Sequence, residues 1–266
     1  MALKPIILSA TMLFLAACQS SPSFKLHHID EEADLVKTWS KALVALPQKS
    51  DLLPLDQVNW AAQKKAPLMI YLHGCTGLGE GDRAMMREVA QLGMVVIAPN
   101  SMARDYRPLQ CNPDDQSGGY HYFVYALREA ELAFAIYQAE QMPWLKRDQM
   151  ALMGGSEGAV TAALYRGAEF KVRILLQWTC HGAPYIQGLA AGPKERVLAL
   201  VNYNDPWYQQ QRADKQGISQ AGHCGDFDRF SHVSSQVLPY EGHDLLQDAF
   251  AKEQIKTFLE DTLLRP

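Results

Sequence analysis

The sequence predicts an α/β fold, with a mostly parallel central sheet and helices on both of its faces. Three observations predict it: uninterrupted apolar runs of strand length, amphipathic stretches of helical length between them, and turn residues that separate the two. Uninterrupted apolar strands are typical of parallel sheets covered on both faces, and their alternation with helices indicates βαβ units with right-handed crossovers.

The first half of the chain is predicted to hold two helices and two strands. Residues Asp30–Leu46 are predicted to be helical because their apolar side chains fall on one face. The apolar runs Leu68–Leu72 and Met94–Ala98 predict buried strands, with a helix at Asp82–Leu92 between them. Residues 47–65 contain no clear strand, so we expect the sheet to be short at that edge.

The second half continues the alternation after a long loop over residues 101–119. The helix predicted at Tyr120–Met142 has an apolar stripe that we expect to face the core, formed by Phe123, Leu127, Ala130, Phe134 and Tyr137. Further strands are predicted at Met150–Met153, Arg173–Trp178, Arg196–Tyr203 and Val237–Tyr240, and further helices at Ser156–Arg166 and Leu246–Leu263. Active sites of such sheets gather at the carboxyl ends of the strands.

Composition fits one globular domain over residues 30–266. The 266-residue chain is 48% hydrophobic and 20% charged, which suits a single core and does not indicate disorder. The formal net charge of −4 provides no basic footprint for nucleic acid, so no nucleic-acid partner is expected.

The first residues have the pattern of a secretory signal. Lys4 precedes an uncharged run, residues 5–17, that is too short to span a membrane and ends in small residues. The sequence Leu-Ala-Ala-Cys ending at Cys18 resembles the bacterial lipobox, in which the cysteine becomes the lipidated first residue. The alternative is an ordinary secretory signal in which Cys18 is incidental.

The lipobox resemblance implies an anchored protein of the cell envelope. Residues 1–17 would be removed as a signal peptide, Cys18 would carry the lipid, and residues 18–29 would form a linker. Gln19 after the cysteine resembles the sorting signal for the outer membrane of Gram-negative bacteria. We therefore expect a periplasm-facing protein whose membrane contact is its lipid anchor.

A nucleophile-elbow pattern, Gly154-x-Ser156-x-Gly158, stands where a predicted strand passes directly into a helix. The sharp turn would present the Ser156 hydroxyl above the sheet, at a helix N-terminus that favours an anion. Glu157, the next residue, would supply one backbone N–H to an oxyanion hole. The alternative is an ordinary Gly-rich turn before a helix.

A second Gly-containing turn, His73-Gly74-Cys75, follows the strand at Leu68–Leu72. The backbone N–H of Cys75, or that of Thr76, is predicted to be the second oxyanion donor. The alternative is a turn in which His73 has only a structural role.

An acid and a base must follow the nucleophile in that order. Asp205 follows the strand Arg196–Tyr203, and His243 follows the last strand, so we predict a Ser156, Asp205, His243 triad. Other candidates downstream of Ser156 are the acids Asp226 and Asp228 and the histidines His223 and His232. Asp205 could also belong to an ordinary Asn-Asp-Pro turn.

From about Pro67 onward the chain resembles the dienelactone-hydrolase-like branch of the α/β-hydrolases, with broader similarity to esterases and prolyl-oligopeptidase-type domains. The resemblance rests on His73-Gly74, the elbow around Ser156, Asp205 and Gly242-His243. It implies the α/β-hydrolase fold and acyl transfer through an acyl-enzyme, without metal or cofactor. Dienelactone hydrolases proper use a cysteine nucleophile, so their lactone substrate is not implied for this chain.

Four cysteines besides Cys18 form an even set in a secreted chain, so disulfides are expected. Cys75 and Cys111 lie in loops after consecutive strands, and Cys180 and Cys224 similarly follow a later pair, which predicts the bridges Cys75–Cys111 and Cys180–Cys224. Zinc bound by Cys180-His181 and His223-Cys224 is the alternative. It is disfavoured because neither pair has the spacing of a Cys-x-x-Cys half-site.

The leading functional hypothesis is a carboxylic-ester hydrolase acting on a small-molecule ester. A serine peptidase of prolyl-oligopeptidase type is the alternative within enzymes, because a triad alone does not distinguish an ester from an amide. A catalytically inactive binding lipoprotein on the same fold is the alternative from another class.

Overall fold

A computed structural model of the chain describes residues 31–107, 111–118, 122–180, 188–207, 224 and 232–265. The strands are β1 (Leu43–Ala45), β2 (Leu52–Pro54), β3 (Ala66–Leu72), β4 (Val95–Ala98), β5 (Cys111–Asn112), β6 (Ser117–Gly118), β7 (Leu145–Gly155), β8 (Val172–Leu176), β9 (Arg196–Asn204) and β10 (Val233–Glu241). The α-helices are α1 (Glu32–Ser40), α2 (Glu80–Gln91), α3 (Tyr122–Glu140), α4 (Glu157–Leu164) and α5 (Ala249–Leu259). The predicted signal peptide and linker, including Cys18, lie outside the described residues.

Eight strands form one sheet in the order β10-β9-β8-β7-β3-β4-β1-β2. All neighbours from β4 to β10 pair in parallel, whereas β1 pairs antiparallel with both β4 and β2. The predicted parallel sheet is therefore confirmed, and β5 and β6 form a separate small hairpin.

Two predictions at the start of the chain are wrong. The helix predicted at Asp30–Leu46 ends at Ser40, and Leu43–Ala45 is a strand. The sheet is not short at this edge, because β1 and β2 extend it beyond β4. Pairing with β4 gives Leu43–Ala45 backbone partners and buries Val44 completely. Such tertiary pairing overrides a local helical period.

The sheet separates two cores, which explains the uninterrupted apolar runs. Every residue of β3 is buried, and its side chains alternate between the two faces. Leu68, Ile70 and Leu72 pack in the cluster that includes side chains of α1, α3 and α4. Met69 and Tyr71 pack in the other, with side chains of α2 and α5. Helices therefore cover both faces, as predicted.

The apolar stripe predicted for α3 is wrong at both ends. Phe123 and Tyr137 are 65% and 60% exposed. The buried face is formed instead by Val124, Leu127, Arg128, Glu131, Leu132, Ala135, Ile136 and Ala139. Two of these buried residues, Arg128 and Glu131, are charged. The stripe of apolar residues in the sequence therefore predicts a helix face next to the one that is buried.

Both predicted cysteine pairs are bridged in the structure. The bond between Cys75 and Cys111 joins the turn after β3 to the β5–β6 hairpin, with the Cα atoms 5.9 Å apart. Cys180, after β8, is bonded to Cys224, with the Cα atoms 5.0 Å apart. These sulfurs are therefore not held as zinc thiolates, while His181 and His223 lie outside the described residues.

The part of the chain that the structure describes has neither a metal-binding cluster nor a membrane-spanning helix. It contains no group of three or more His, Cys, Asp or Glu side chains arranged to hold a metal ion. None of its helices combines the length and the apolar character needed to cross a bilayer.

Candidate active site

Ser156 stands at the junction of β7 and α4, with the backbone angles φ 51° and ψ −115°. The flanking glycines are required by close approaches of the backbone. A Cβ on Gly158 would lie 2.0 Å from the carbonyl oxygen of Leu72, and one on Gly154 would lie 2.3 Å from that of Gly158. The Gly-x-Ser-x-Gly pattern thus lets α4 pack tightly over the end of β3.

Three side chains meet at the carboxyl ends of β7, β9 and β10. His243 Nε2 lies 2.9 Å from Ser156 Oγ, and His243 Nδ1 lies 2.7 Å from Asp205 Oδ2. A carboxylate only accepts hydrogen bonds, so the Nδ1 proton points to Asp205 and Nε2 can accept the serine proton. The arrangement can deprotonate Ser156 and hold the resulting imidazolium beside a buried carboxylate.

The loops after β9 and β10 hold the acid and the histidine in place. Asp205 is buried, and its Oδ1 accepts a hydrogen bond of 2.9 Å from the backbone N–H of Trp207. Asn202 Nδ2 donates to the carbonyl oxygen of Gly242 at 3.0 Å, which links the two strand ends just before His243. The ring of Trp207 lies 5.8 Å from that of His243.

The competing candidates are located elsewhere or not described. His232 precedes β10, and its carbonyl oxygen accepts from the N–H of Val197 near the start of β9. It therefore lies at the opposite end of the strands from His243. Asp226, Asp228 and His223 lie outside the described residues.

A cavity of about 450 Å³ opens at Ser156 and His243. Gly74, Cys75 and Thr76 line it, and a Cβ on Gly74 would lie 3.5 Å from the Cβ of Ser156. The turn that carries the predicted second donor is therefore beside the serine. Glu157 begins α4, so its N–H belongs to the helix N-terminus.

Comparisons with known proteins rest on structure, because the sequence matches no protein-family model and no curated protein. A Klebsiella pneumoniae protein assigned as a dienelactone hydrolase is similar with a TM-score of 0.52, 13% identity and coverage of 85% of this chain and 99% of that one. Est1E from Butyrivibrio proteoclasticus, solved with ferulic acid, has a TM-score of 0.54, 13% identity and coverage of 84% and 95%. An acylaminoacyl peptidase from Pyrococcus horikoshii has a TM-score of 0.55, 12% identity and coverage of 85% and 40%.

The chain has the α/β-hydrolase fold. At such low identities the likeness shows the fold alone, and the dienelactone-hydrolase-like branch stays a prediction. In an α/β-hydrolase the nucleophile elbow follows a central strand. Ser156 has this position, directly after β7, which lies between β3 and β8 in the sheet.

His73 has a structural role in this α/β-hydrolase fold. It is fully buried; its Nε2 accepts from the N–H of Ser101 at 3.1 Å, and its Nδ1 donates to the carbonyl oxygen of Gly74 at 2.7 Å. These bonds require the neutral ring. Burial, and then the charge of Arg128, hold the pKa of His73 well below its ordinary value. His73 thus fixes the turn that lines the cavity.

A buried set of charges behind the elbow was not predicted. Glu157 accepts a hydrogen bond of 2.8 Å from Arg107 Nη2, and Arg128 Nη1 lies 3.8 Å from the same oxygen. Burial raises the pKa of Glu157, while Arg128 and Arg107 oppose that rise. The set contains three arginines and three carboxylates: Arg104, Arg107, Arg128, Asp34, Glu131 and Glu157. Charged residues on the buried face of α3 are the one sequence signal for it.

Arg173 is another buried charged residue whose role the sequence analysis did not predict. It lies within β8, fully buried, and pairs with Glu195, whose Oε1 is 2.9 Å from Nη2. Its Nη1 donates to the carbonyl oxygens of Ala162 and Tyr165 at 2.9 and 2.6 Å. These belong to the C-terminal end of α4, where a cation satisfies carbonyls that lack helical partners. Arg173 thus secures the helix that begins beside Ser156.

Proposed function

We propose that this protein is a carboxylic-ester hydrolase in which Ser156 is the nucleophile, His243 the general base and Asp205 the residue that orients it. One observation carries the proposal: a single imidazole lies within hydrogen-bond distance of both Ser156 Oγ and a buried carboxylate, at the mouth of a cavity. This geometry supports nucleophilic catalysis, because a serine hydroxyl needs an adjacent base to attack a carbonyl.

The proposed reaction has two halves. Ser156 Oγ attacks the ester carbonyl carbon as His243 Nε2 takes its proton, and the imidazolium then gives that proton to the leaving alcohol. Water, deprotonated by His243, hydrolyses the acyl-enzyme and restores Ser156. The N–H groups of Glu157 and Cys75 would stabilise the oxyanion, each contributing about 3 kcal/mol to the transition state. The N–H of Thr76 is the alternative second donor.

The proposed substrate is a small-molecule ester. The cavity volume of about 450 Å³ is in the range of small-molecule sites, and an esterase of the same fold has been solved with ferulic acid. Three carboxylates line the cavity, from Glu80, Asp82 and Asp244. Peptide-bond hydrolysis is the alternative, because the same three residues could act on an amide and peptidases share the fold.

The test compares the wild-type protein with Ser156→Ala, His243→Ala, Asp205→Asn and the control His232→Ala. We expect hydrolysis of p-nitrophenyl acetate, labelling of Ser156 by a fluorophosphonate, and loss of turnover by similar large factors in the first two variants. Asp205→Asn should be damaging, and His232→Ala should keep wild-type turnover. Turnover of an aminoacyl amide but of no ester would favour the peptidase. No labelling and no turnover would indicate a binding lipoprotein.

We also propose that the mature protein begins at a lipidated Cys18 and is anchored in the cell envelope facing the periplasm, in the outer membrane. The lipobox-like sequence before Cys18 supports this. Two or more acyl chains give stable membrane binding where one does not. Mass spectrometry of the membrane fraction should find acylated Cys18 and no residue from 1–17. An unmodified Cys18 in the mature protein would contradict the proposal.

A further inference from the structure

Both proposed oxyanion donors are connected to one stretch of the chain between β4 and α3, whose described residues, 101–107 and 111–118, we name the strap. Arg107 of the strap donates to the side chain of Glu157 at 2.8 Å. Cys111 of the strap is bonded to Cys75. Glu157 and Cys75 are the residues whose backbone N–H groups would bind the oxyanion, so one segment reaches both halves of the hole.

The link to Glu157 is buried and directional. The side chains of Arg107 and Glu157 are only 8% and 2% exposed. Arg107 Nε also donates to Ser101 Oγ at 2.9 Å, which folds the guanidinium back onto the start of the strap. Because Glu157 is the first residue of α4, holding its carboxylate restricts the helical turn that carries its N–H.

The link to Cys75 reaches the other half of the hole. Cys111 lies in the β5–β6 hairpin, and Pro113 of the same hairpin lines the cavity. The turn at Cys75 is also held from the strap by the bond from the Ser101 N–H to His73. The strap is therefore bonded both to Glu157, at the start of α4, and to Cys75, in the turn after β3.

We propose that Arg107 and Cys111 are positioning residues that keep the two oxyanion donors at a fixed separation by joining both to the strap. The inference rests on the proposed function. Oxyanion donors act only when they lie about 2.7–3.1 Å from the developing charge, and a misplacement of about 1 Å can cost about 100-fold in rate. The charge develops only in the transition state, so loss of a link should lower kcat and leave KM nearly unchanged.

The chain contains a matched control for the disulfide. Cys75–Cys111 and Cys180–Cys224 join residues 36 and 44 positions apart, so their removal releases similar loop entropy in the unfolded chain. For Cys75→Ala/Cys111→Ala we expect kcat for p-nitrophenyl acetate to fall about 10- to 100-fold, with KM within about threefold. For Cys180→Ala/Cys224→Ala, measured where both variants are folded by circular dichroism, kcat should stay within about threefold.

Arg107 provides a second test that does not depend on the disulfide. Arg107→Gln should lower kcat by about 10-fold or more, and Arg107→Lys should recover part of that loss because it keeps a cation near Glu157. A boronic acid inhibitor forms a tetrahedral adduct that mimics the transition state. It should bind most tightly to the wild type, more weakly to Arg107→Lys and most weakly to Arg107→Gln. Arg147→Gln, at an exposed ion pair with Glu140 away from the cavity, is the control that should change neither value.

The possible results distinguish a failure of this inference from a failure of the proposed function. An active wild-type protein whose kcat is unchanged in Arg107→Gln, or falls equally in the two double-cysteine variants, overturns the inference and leaves the proposed function intact. If the Cys75 and Cys111 variant does not fold, the Arg107 series alone supports or overturns it. A wild-type protein without turnover or fluorophosphonate labelling overturns the proposed function first, and the inference with it.

Discussion

The backbone of Ser156 is a position at which a glycine should be more stable than an alanine. Its angles, φ 51° and ψ −115°, lie outside the regions that are comfortable for a residue with a Cβ. Such a conformation costs about 1–3 kcal/mol, which glycine largely avoids. Glycine loses about 0.5–1 kcal/mol more conformational entropy on folding than alanine. We therefore expect Ser156→Gly to exceed Ser156→Ala by about 1 kcal/mol in the free energy of unfolding.

The comparison of these two variants isolates the Cβ, because both lack the hydroxyl and its hydrogen bond to His243. The assay is equilibrium unfolding in guanidinium chloride under non-reducing conditions, followed by tryptophan fluorescence. The control pair is the wild type and Ala133→Gly, at an exposed position inside α3, where glycine should cost about 1 kcal/mol. If Ser156→Gly were less stable than Ser156→Ala by a similar amount, the elbow would not be strained and the reasoning would be refuted.

Three further predictions concern stability. Gly158→Ala should cost more than about 3 kcal/mol or prevent folding, as measured by thermal unfolding, because its Cβ would lie 2.0 Å from a backbone oxygen of β3. Stability should fall by up to about 1.4 kcal/mol per pH unit for His73 as the pH drops below about 6.5, because the unfolded chain then binds a proton that the native state, with its lowered pKa, does not. Urea titrations at several pH values give the free energy of unfolding as a function of pH. This free energy should fall less steeply with decreasing pH in His73→Gln, whose amide oxygen can accept the same bond from Ser101, and an unchanged pH dependence would contradict this. Arg173→Leu should cost about 3–5 kcal/mol because it leaves the Glu195 carboxylate buried without its cation and carbonyls at the end of α4 without their donor. The double variant with Glu195→Leu should recover only the part of that loss that comes from the uncompensated charge.

Local patterns predicted the order of the main helices and strands from β3 to α5, but not the β5–β6 hairpin, which lies in the predicted loop. They succeeded because strands such as β3, β4 and β8 are buried on both faces. An uninterrupted apolar run such as Leu68–Leu72 reports that environment directly. The elbow could also be predicted from the sequence, because two glycines beside Ser156 are required by short backbone distances. A Cβ on Gly154 would clash with the backbone of Gly158, and one on Gly158 would clash with the end of β3. Such steric demands leave a signal in the sequence itself.

Features that depend on distant partners were not predictable in the same way. The strand at Leu43–Ala45 exists because β4 offers an edge to pair with, and its own residues are compatible with a helix. The buried face of α3 contains Arg128 and Glu131, whose burial is tolerated only beside partners such as Arg104, 27 residues away from Glu131. Local periodicity contains no information about such partners.

The sequence alone predicts the α/β class, the elbow at Ser156 and the order of the candidate acid and base. It left four other downstream acids and histidines as candidates. Only the tertiary structure brought His243 between Ser156 and Asp205, from which it is separated by 87 and 38 residues. The physical reason is that strand order in the sheet decides which loops meet. The ends of β7, β9 and β10 come together only once the strands have paired.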